Sequence, residues 1–304
     1  MRFSSSTIPA LLWSALKKFF GDNCPTQAAA LSFTTVFSLP ALLALLLMVI
    51  ARFADPSDAQ AAIIQQVGSL IGPGAASQVR TIIASVGESS TDAPVTAVIG
   101  LIAVLFGATG AFAQLQAALN RVWNVKPDPQ RGDVRNFLVK RVFSFGVVIV
   151  VAFLLLVSLA VSAFLSSVGT RIGGVVGLPD ALLRIGNVLL SFIIVAALFA
   201  AMFRYLPDAR ISWRDVGVGA SATALLFVGG KELIGLYLGN VDPGSAFGAA
   251  GSLVVVLLWI YYTSMIVLYG TEITRAWAEM FGRGVQPERG AVEFVEQEKR
   301  VKAG

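Results

Sequence analysis

Lys231 and Glu232 stand side by side in GGKELIGLYLG, residues 229–239, within a run that is otherwise apolar. Full charges in such a run are costly unless they face a bundle interior or a watery cavity. They therefore mark either an ion or substrate path or a buried pair that fixes helix register. A phosphate-binding loop is excluded, because GGKE lacks the preceding glycine loop and the Ser or Thr after the lysine. Adjacent residues point about 100° apart around a helix. The positions three and four away from Lys231, namely Phe227, Val228, Ile234 and Gly235, carry no charge, so each partner must come from another helix.

Depth selects those partners. Arg184 and Asn187 fall in the outer part of the preceding apolar run, at a depth reachable from Glu232, while Glu272 and Arg204 share a depth near the opposite, inner end. The expected contacts are Glu232 with Arg184 and Glu272 with Arg204. GAFAQLQAALN adds Gln114, Gln116 and Asn120, which suit hydrogen bonds between helices or the lining of a pore. Catalytic residues, metals and cofactors are not expected: the chain has no histidine, and its one cysteine, Cys24, cannot form an internal disulfide.

The elements that must position these groups are membrane helices. Of the 304 residues 56% are hydrophobic and only 13% charged, and the mean hydropathy is +0.77, whereas soluble domains are about 25% charged. The fold class expected is all-α, a polytopic membrane helix bundle. Its six transmembrane spans lie at about 31–51, 95–118, 142–168, 181–205, 216–239 and 249–273, each near or above the roughly 20 residues a crossing needs. No connection is long enough for a separate globular domain, so residues 1–280 form one integral membrane domain, followed by a charged cytoplasmic tail over 281–304. Pro40 is a candidate kink in the first span.

Two amphipathic regions accompany the spans. Residues 7–20 place Leu12, Trp13, Leu16, Phe19 and Phe20 opposite Ser14, Lys17 and Lys18, which suits a helix lying in the membrane interface. The short apolar segment, Pro9 and the two lysines do not resemble a cleaved leader. Residues 52–94 read as two short extracytoplasmic helices, with Asp55 as a cap, Pro56 at the first helical position and Gly72-Pro73-Gly74 as the break. Small residues, among them Gly107 and Gly110, Gly217 and Gly219, Gly229 and Gly230, and SAFGAAGSL, favour close helix packing. Segments 1–30, 119–141, 204–215 and 274–304 hold eighteen lysines and arginines against four in the opposite connections. That imbalance assigns them, with both termini, to the cytoplasm. The basic 119–141 connection follows from the same bias and carries no nucleic-acid motif.

Four stretches in order resemble the YihY and virulence factor BrkB family of bacterial inner-membrane proteins: QAAALSFTTVFSLPALL at 27–43, ALNRVWNV at 118–125, YLPDARISWRDVGVGA at 205–220 and FGAAGSLVVVLLWIYYTSMIVLYGTEI at 247–273. Thr34 departs from the second aromatic expected after Phe33. The resemblance implies a six-span, multi-pass protein of the bacterial inner membrane, with transport or export as the suspected role. Some members carry the label ribonuclease BN, but a metal-dependent nuclease needs a water-facing cluster of carboxylates or histidines, which this sequence lacks. The function expected is a transporter or exporter of a small ion, solute or lipid-like molecule. The alternative is a non-transporting scaffold or envelope-maintenance factor. The partners expected are membrane lipids and a small solute or ion, with a second copy of the chain left open and nucleic acid not expected.

Overall fold

In the computed structural model the described residues are 7–50, 55–71, 73–88, 110–128, 180–241, 245–282, 284–288 and 290–294, and at some of them, Arg184, Asn187, Lys231 and Glu232 included, only the backbone is described. Helix α1 (Thr7–Gly21) is followed by α2 (Cys24–Ile50), α3 (Pro56–Ile71) and α4 (Pro73–Glu88). Residues 110–122, here α5, are helical and lead into β1 (Val125–Pro127). Then come α6 (Asp180–Tyr205), β2 (Ala209–Arg210), α7 (Trp213–Val241), a 3-10 helix (Ser245–Ala250), α8 (Gly251–Phe281), β3 (Gln286–Pro287) and β4 (Ala291–Glu293). The protein is mostly helical, as its apolar runs require. Two of the described helices combine the length and apolarity needed to cross a bilayer, over Cys24–Leu43 and Gly251–Phe281. The expected spans at 95–118 and 142–168 lie largely outside the described residues.

Helix α8 is the hub, packing against α1, α2, α4 and α7. Its crossing with α7 is reciprocal. A Cβ on Gly219 would stand 1.6 Å from Thr274 Oγ1, and one on Gly270 would stand 1.8 Å from Thr223 Oγ1. Each threonine hydroxyl donates to the carbonyl of the glycine four residues earlier in its own helix, Thr223 to Gly219 at 2.7 Å and Thr274 to Gly270 at 2.8 Å. The same Gly-x-x-x-Thr spacing on two antiparallel helices thus gives close approach and leaves neither hydroxyl unsatisfied, which is how small residues hold helices together where no water drives them. Between α7 and α8, Gly248 takes φ +52, a left-handed conformation that breaks the helical path.

Caps and turns set the other boundaries. Asp55 Oδ1 accepts from the Ser57 amide at 2.8 Å and from its hydroxyl at 2.5 Å, so the expected cap with Pro56 behind it is the one formed. Asn23 (φ 53) turns α1 into α2, and Asn124 (φ 52) turns α5 into β1; asparagine tolerates this left-handed region better than most side chains. Helices α3 and α4 form at the opposite end of α8 from its C-terminus, where Ser252 donates to Gln78 at 2.9 Å and Val79 and Ile83 bury against Leu43.

Helix α1 packs on α8 through a face beside the one its pattern assigned to the membrane interface. Leu11, Ala15 and Phe19 are buried, the first two in a cluster with Ile273 and Ala276 of α8, while Ile8, Leu12, Trp13 and Phe20 stay exposed. Phe33, Phe37, Leu189, Ile193, Leu225 and Leu233 are also exposed on long helices, an apolar surface suited to hydrocarbon rather than water.

The C-terminal region differs from a simple charged tail. Helix α8 continues to Phe281, eight residues beyond the expected end of its span, and the chain then folds back as two short strands. β4 pairs antiparallel with β1, setting Lys126 opposite Val292, and β3 pairs with β2, setting Ala209 opposite Pro287. The all-helical expectation therefore misses two small ladders, each short enough that its strands carry no periodicity to read.

Candidate functional site

The described parts of all four segments that share the excess of basic residues meet at one end of the bundle. The end of α1 and its turn lie against α8, the end of α5 against the turn after α6, and the returning strands against both connections. A well-packed core sits there, with Phe203, Leu119, Ile211, Leu268 and Cys24 fully buried. Within this apolar setting the carboxyl groups of Asp208, Asp215 and Glu272 are buried, and the first and the last have different surroundings.

Asp208 sits in the turn between α6 and β2 and is 9% exposed. Its Oδ2 accepts from Asn120 Nδ2 at 2.8 Å and its Oδ1 from Gln116 Nε2 at 3.3 Å, while its own amide donates to Asn120 Oδ1 at 2.8 Å. The Asp208 carbonyl also accepts from the Glu288 amide at 2.9 Å. One residue thus clasps α5, the turn and the returning C-terminal segment. Beside it opens a cavity of about 470 Å³ between α2, α5, β1 and the end of β4, with Gln27, Gln116, Arg121, Lys126 and Phe294 among its walls. Lys126 Nζ lies over the Phe294 ring, 5.2 Å from its centroid.

Glu272 of α8 is fully buried. Its Oε1 has the Cys24 thiol as a weak donor at 3.9 Å, and its Oε2 has no hydrogen-bond partner among the described residues. The carboxyl of Asp22 stands beside it. The cation next along the helix, Arg275, is engaged elsewhere: it donates to Asp22 at 2.8 Å, to the Val122 carbonyl at 2.7 Å and to Glu279 at 3.0 Å. Lys18 of α1 completes the chain of charges by pairing with Glu279.

The expected contact of Glu272 with Arg204 is not formed. Arg204 closes the turn after α6 by donating to the Ile211 carbonyl, and its guanidinium lies 5.9 Å from the centroid of the Trp213 ring. Equal depth is not enough for contact, because the two helices present these residues in different directions. Gln116 and Asn120 do meet a partner on another element, in Asp208; Gln114 is half-buried and is not among the described cavity walls. Arg184 lies on α6 and Lys231 and Glu232 on α7, and the contact expected between Arg184 and Glu232 falls on side chains that are not described.

Sequence reasoning missed Asp208, Asp22 and Arg275. Signals for two of them were present: Arg275 and Glu279 follow Glu272 at helical spacing, three and seven residues on, and Asp208 is an acidic residue in a connection holding three arginines.

Apolar helices with hydrocarbon-suited surfaces and a polar cluster gathered at one end define a helical membrane protein. Comparison with known proteins narrows this. The family described as Virulence factor BrkB matches residues 15–292, and the chain belongs to that family. A UPF0761 membrane protein of Pseudomonas paraeruginosa is 28% identical over 258 residues, covering 84% of this chain and 60% of the relative. One from Psychromonas ingrahamii is 28% identical over 83% of this chain and 82% of its own length, and one from Ralstonia nicotianae is 30% identical over 87% and 58%. The chain thus spans about 60% of the length of the first of these relatives. No solved structure matches.

Proposed function

We propose that this chain is a six-span protein of the bacterial inner membrane, with both termini cytoplasmic, that moves a small ion, solute or lipid-like molecule across the bilayer. The observation that carries the reading is the cavity of about 470 Å³, walled by both apolar and charged side chains, at the end where the basic segments converge. Close by, at that same end, lies a fully buried carboxyl whose Oε2 lacks a partner, Glu272. Charges inside a membrane bundle usually face a path, and an orphaned one is more costly to keep than a paired one. Four chain segments meeting at one end also agree with an even number of crossings, and the exposed Tyr205 and Trp213, in edge contact at 5.9 Å, suit the interfacial belt of a bilayer.

On this reading the exposed apolar face of α1 rests in the lipid interface, and α3 and α4 cover the outer mouth. No nucleotide-binding signature is present, so movement is driven by a gradient, is passive or is powered by a partner. The reading assigns no enzymatic role. A scaffold without transport is the second reading, and the fully clasped Asp208 favours it, since such groups serve to lock a fold.

Flux in proteoliposomes over a panel of ions and solutes separates the two. The native chain is expected to show flux that Glu272→Gln, Lys231→Ala or Glu232→Gln reduces. A folded protein with no flux for any member, or flux indifferent to all three changes, sinks the transport reading.

A further inference from the structure

We infer that Glu272 and Asp22 form a carboxyl pair that binds one proton where the basic segments converge, and, resting on the transport reading, that this proton is the ion coupled to the movement. Glu272 is fully buried and its Oε2 has no hydrogen-bond partner among the described residues. Its Oε1 has only the Cys24 thiol, at 3.9 Å, and a thiol is too weak a donor to hold a full negative charge away from water. Asp22 brings a second carboxyl to the same place, within hydrogen-bonding reach of the first. Two ionised carboxylates only accept and repel each other. One proton held between them supplies the donor that the ionised pair lacks and removes the repulsion.

The neighbouring charges are committed to other partners. Arg275, one turn along α8, donates to Asp22 Oδ2 at 2.8 Å, to the Val122 carbonyl at 2.7 Å and to Glu279 Oε1 at 3.0 Å. Lys18 of α1 pairs with Glu279. Both cations act on Glu272 through space, yet neither donates to it. Arg121 of α5, near the Cys24 thiol, has an interaction of its own and is not counted toward the pair. From α7 the nearest charged group along this helix is Asp215, which faces Gly282 beyond the end of α8. The cations therefore hold Asp22 and Glu279, and the charge of Glu272 is left for the proton to remove.

The two carboxyls differ in access. The Asp22 side chain is 27% exposed, whereas Glu272 is enclosed beside Cys24 and Leu268 of the apolar core. A proton thus enters from water at Asp22 and passes to Glu272, the kind of relay that acidic side chains provide in membrane bundles. Binding adds one proton from water to a carboxylate oxygen, breaks no bond in the protein and takes the pair from two negative charges to one. A metal cation in its place needs more ligands than the pair offers, and no group of three ligating side chains is gathered among the described residues.

The test is infrared spectroscopy of the whole chain in nanodiscs of zwitterionic lipid, following the carbonyl stretch of protonated carboxyls as pH is raised. One carboxyl band is expected to vanish in a step of its own, separate from that of the exposed carboxylates, and to shift when water is replaced by deuterium oxide. Glu272→Gln is expected to abolish this band, and Asp208→Asn to leave it in place. Asp22→Asn removes the like charge and is expected to let the proton leave about tenfold more readily. Absence of any band that answers to Glu272→Gln overturns the site, as does a step that Asp22→Asn leaves unmoved. Sodium chloride added at fixed pH is expected to leave the band unchanged; its loss would make the occupant a metal cation and overturn the assignment. In proteoliposomes, an imposed pH gradient is expected to drive flux through the native chain and not through Glu272→Gln. A titrating band with no flux for any solute fails the transport reading while the proton site stands. Flux that ignores the pH gradient overturns the coupling while transport stands.

Discussion

Asp208 and Glu272 are both buried at the same end of the bundle, yet the protein treats them oppositely. Asp208 receives two side-chain donors and returns its own amide to one of them, so its charge is part of the scaffold. Glu272 has a weak thiol donor on one oxygen, none on the other, and a second carboxyl beside it. A buried polar group without a partner costs about 1–3 kcal/mol, which selection removes easily by a change to an amide or an apolar residue. The contrast separates a group that locks the fold from a group whose retention needs another reason, which the proposed transport would supply.

The largest expected effect comes from Gly270→Val. Added carbon atoms where a Cβ alone would stand 1.8 Å from Thr223 Oγ1 force α7 and α8 apart, at about 3 kcal/mol. Hydrogen exchange should show α8 around Glu272 losing protection while the amides of the Asp208 clasp, held by α5 and the turn, keep theirs. Simultaneous loss at both places would show that the two carboxyl sites form one cooperative unit and would end the contrast.

Two isosteric changes sharpen it next. Asp208→Asn sets an amide donor against the amides of Asn120 and Gln116 and is expected to destabilise by about 2 kcal/mol. Glu272→Gln gives the orphaned position a donor that Asp22 can accept, and is expected to stabilise by about 1 kcal/mol while lowering flux. Thermal melting of the detergent-solubilised protein reads both. The same sign for the two substitutions would mean that their surroundings do not differ in the way the geometry implies.

The smallest effect belongs to a third carboxyl, fully exposed. Hydrogen bonds from the hydroxyl and amide of Ser57 hold Asp55 below the usual carboxylate range. A depressed folded value means that the cap contributes above the ordinary range and is lost as pH falls through the folded value. Asp55→Ala should fray the first turn of α3 by hydrogen exchange and leave the melting transition of the bundle unmoved. A shift of the whole transition would show that α3 is coupled to the core.

Much of this arrangement was readable along the chain. Helices α6, α7 and α8 lie where apolar runs were read at 181–205, 216–239 and 249–273, because a run of apolar residues bounded by polar or helix-stopping ones is a local property; of the three, α8 has the length and apolarity of a span. Their ends were less readable: α8 runs on through Arg275 and Glu279, since charged residues that find partners no longer end a helix. Gln116 and Asn120 stood out as polar residues near the end of an apolar run, but the partner they share did not, because Asp208 lies 88 residues beyond Asn120. Arg204 was matched to Glu272 by depth, and depth is one coordinate of two; the angle around each helix decided the outcome.

Composition, the positions of apolar runs, the charge bias and the caps belong to the sequence by itself, since each depends on residues a few positions apart and on the low dielectric of the bilayer. Only the tertiary structure decided which buried carboxyl is clasped and which is orphaned, that a charged C-terminal segment returns as two strands to roof a cavity, and that Gly219 and Gly270 each meet the other helix's threonine. Those outcomes depend on the angular setting of helices joined by long stretches of chain, and packing sets that angle through contacts that no local spacing contains.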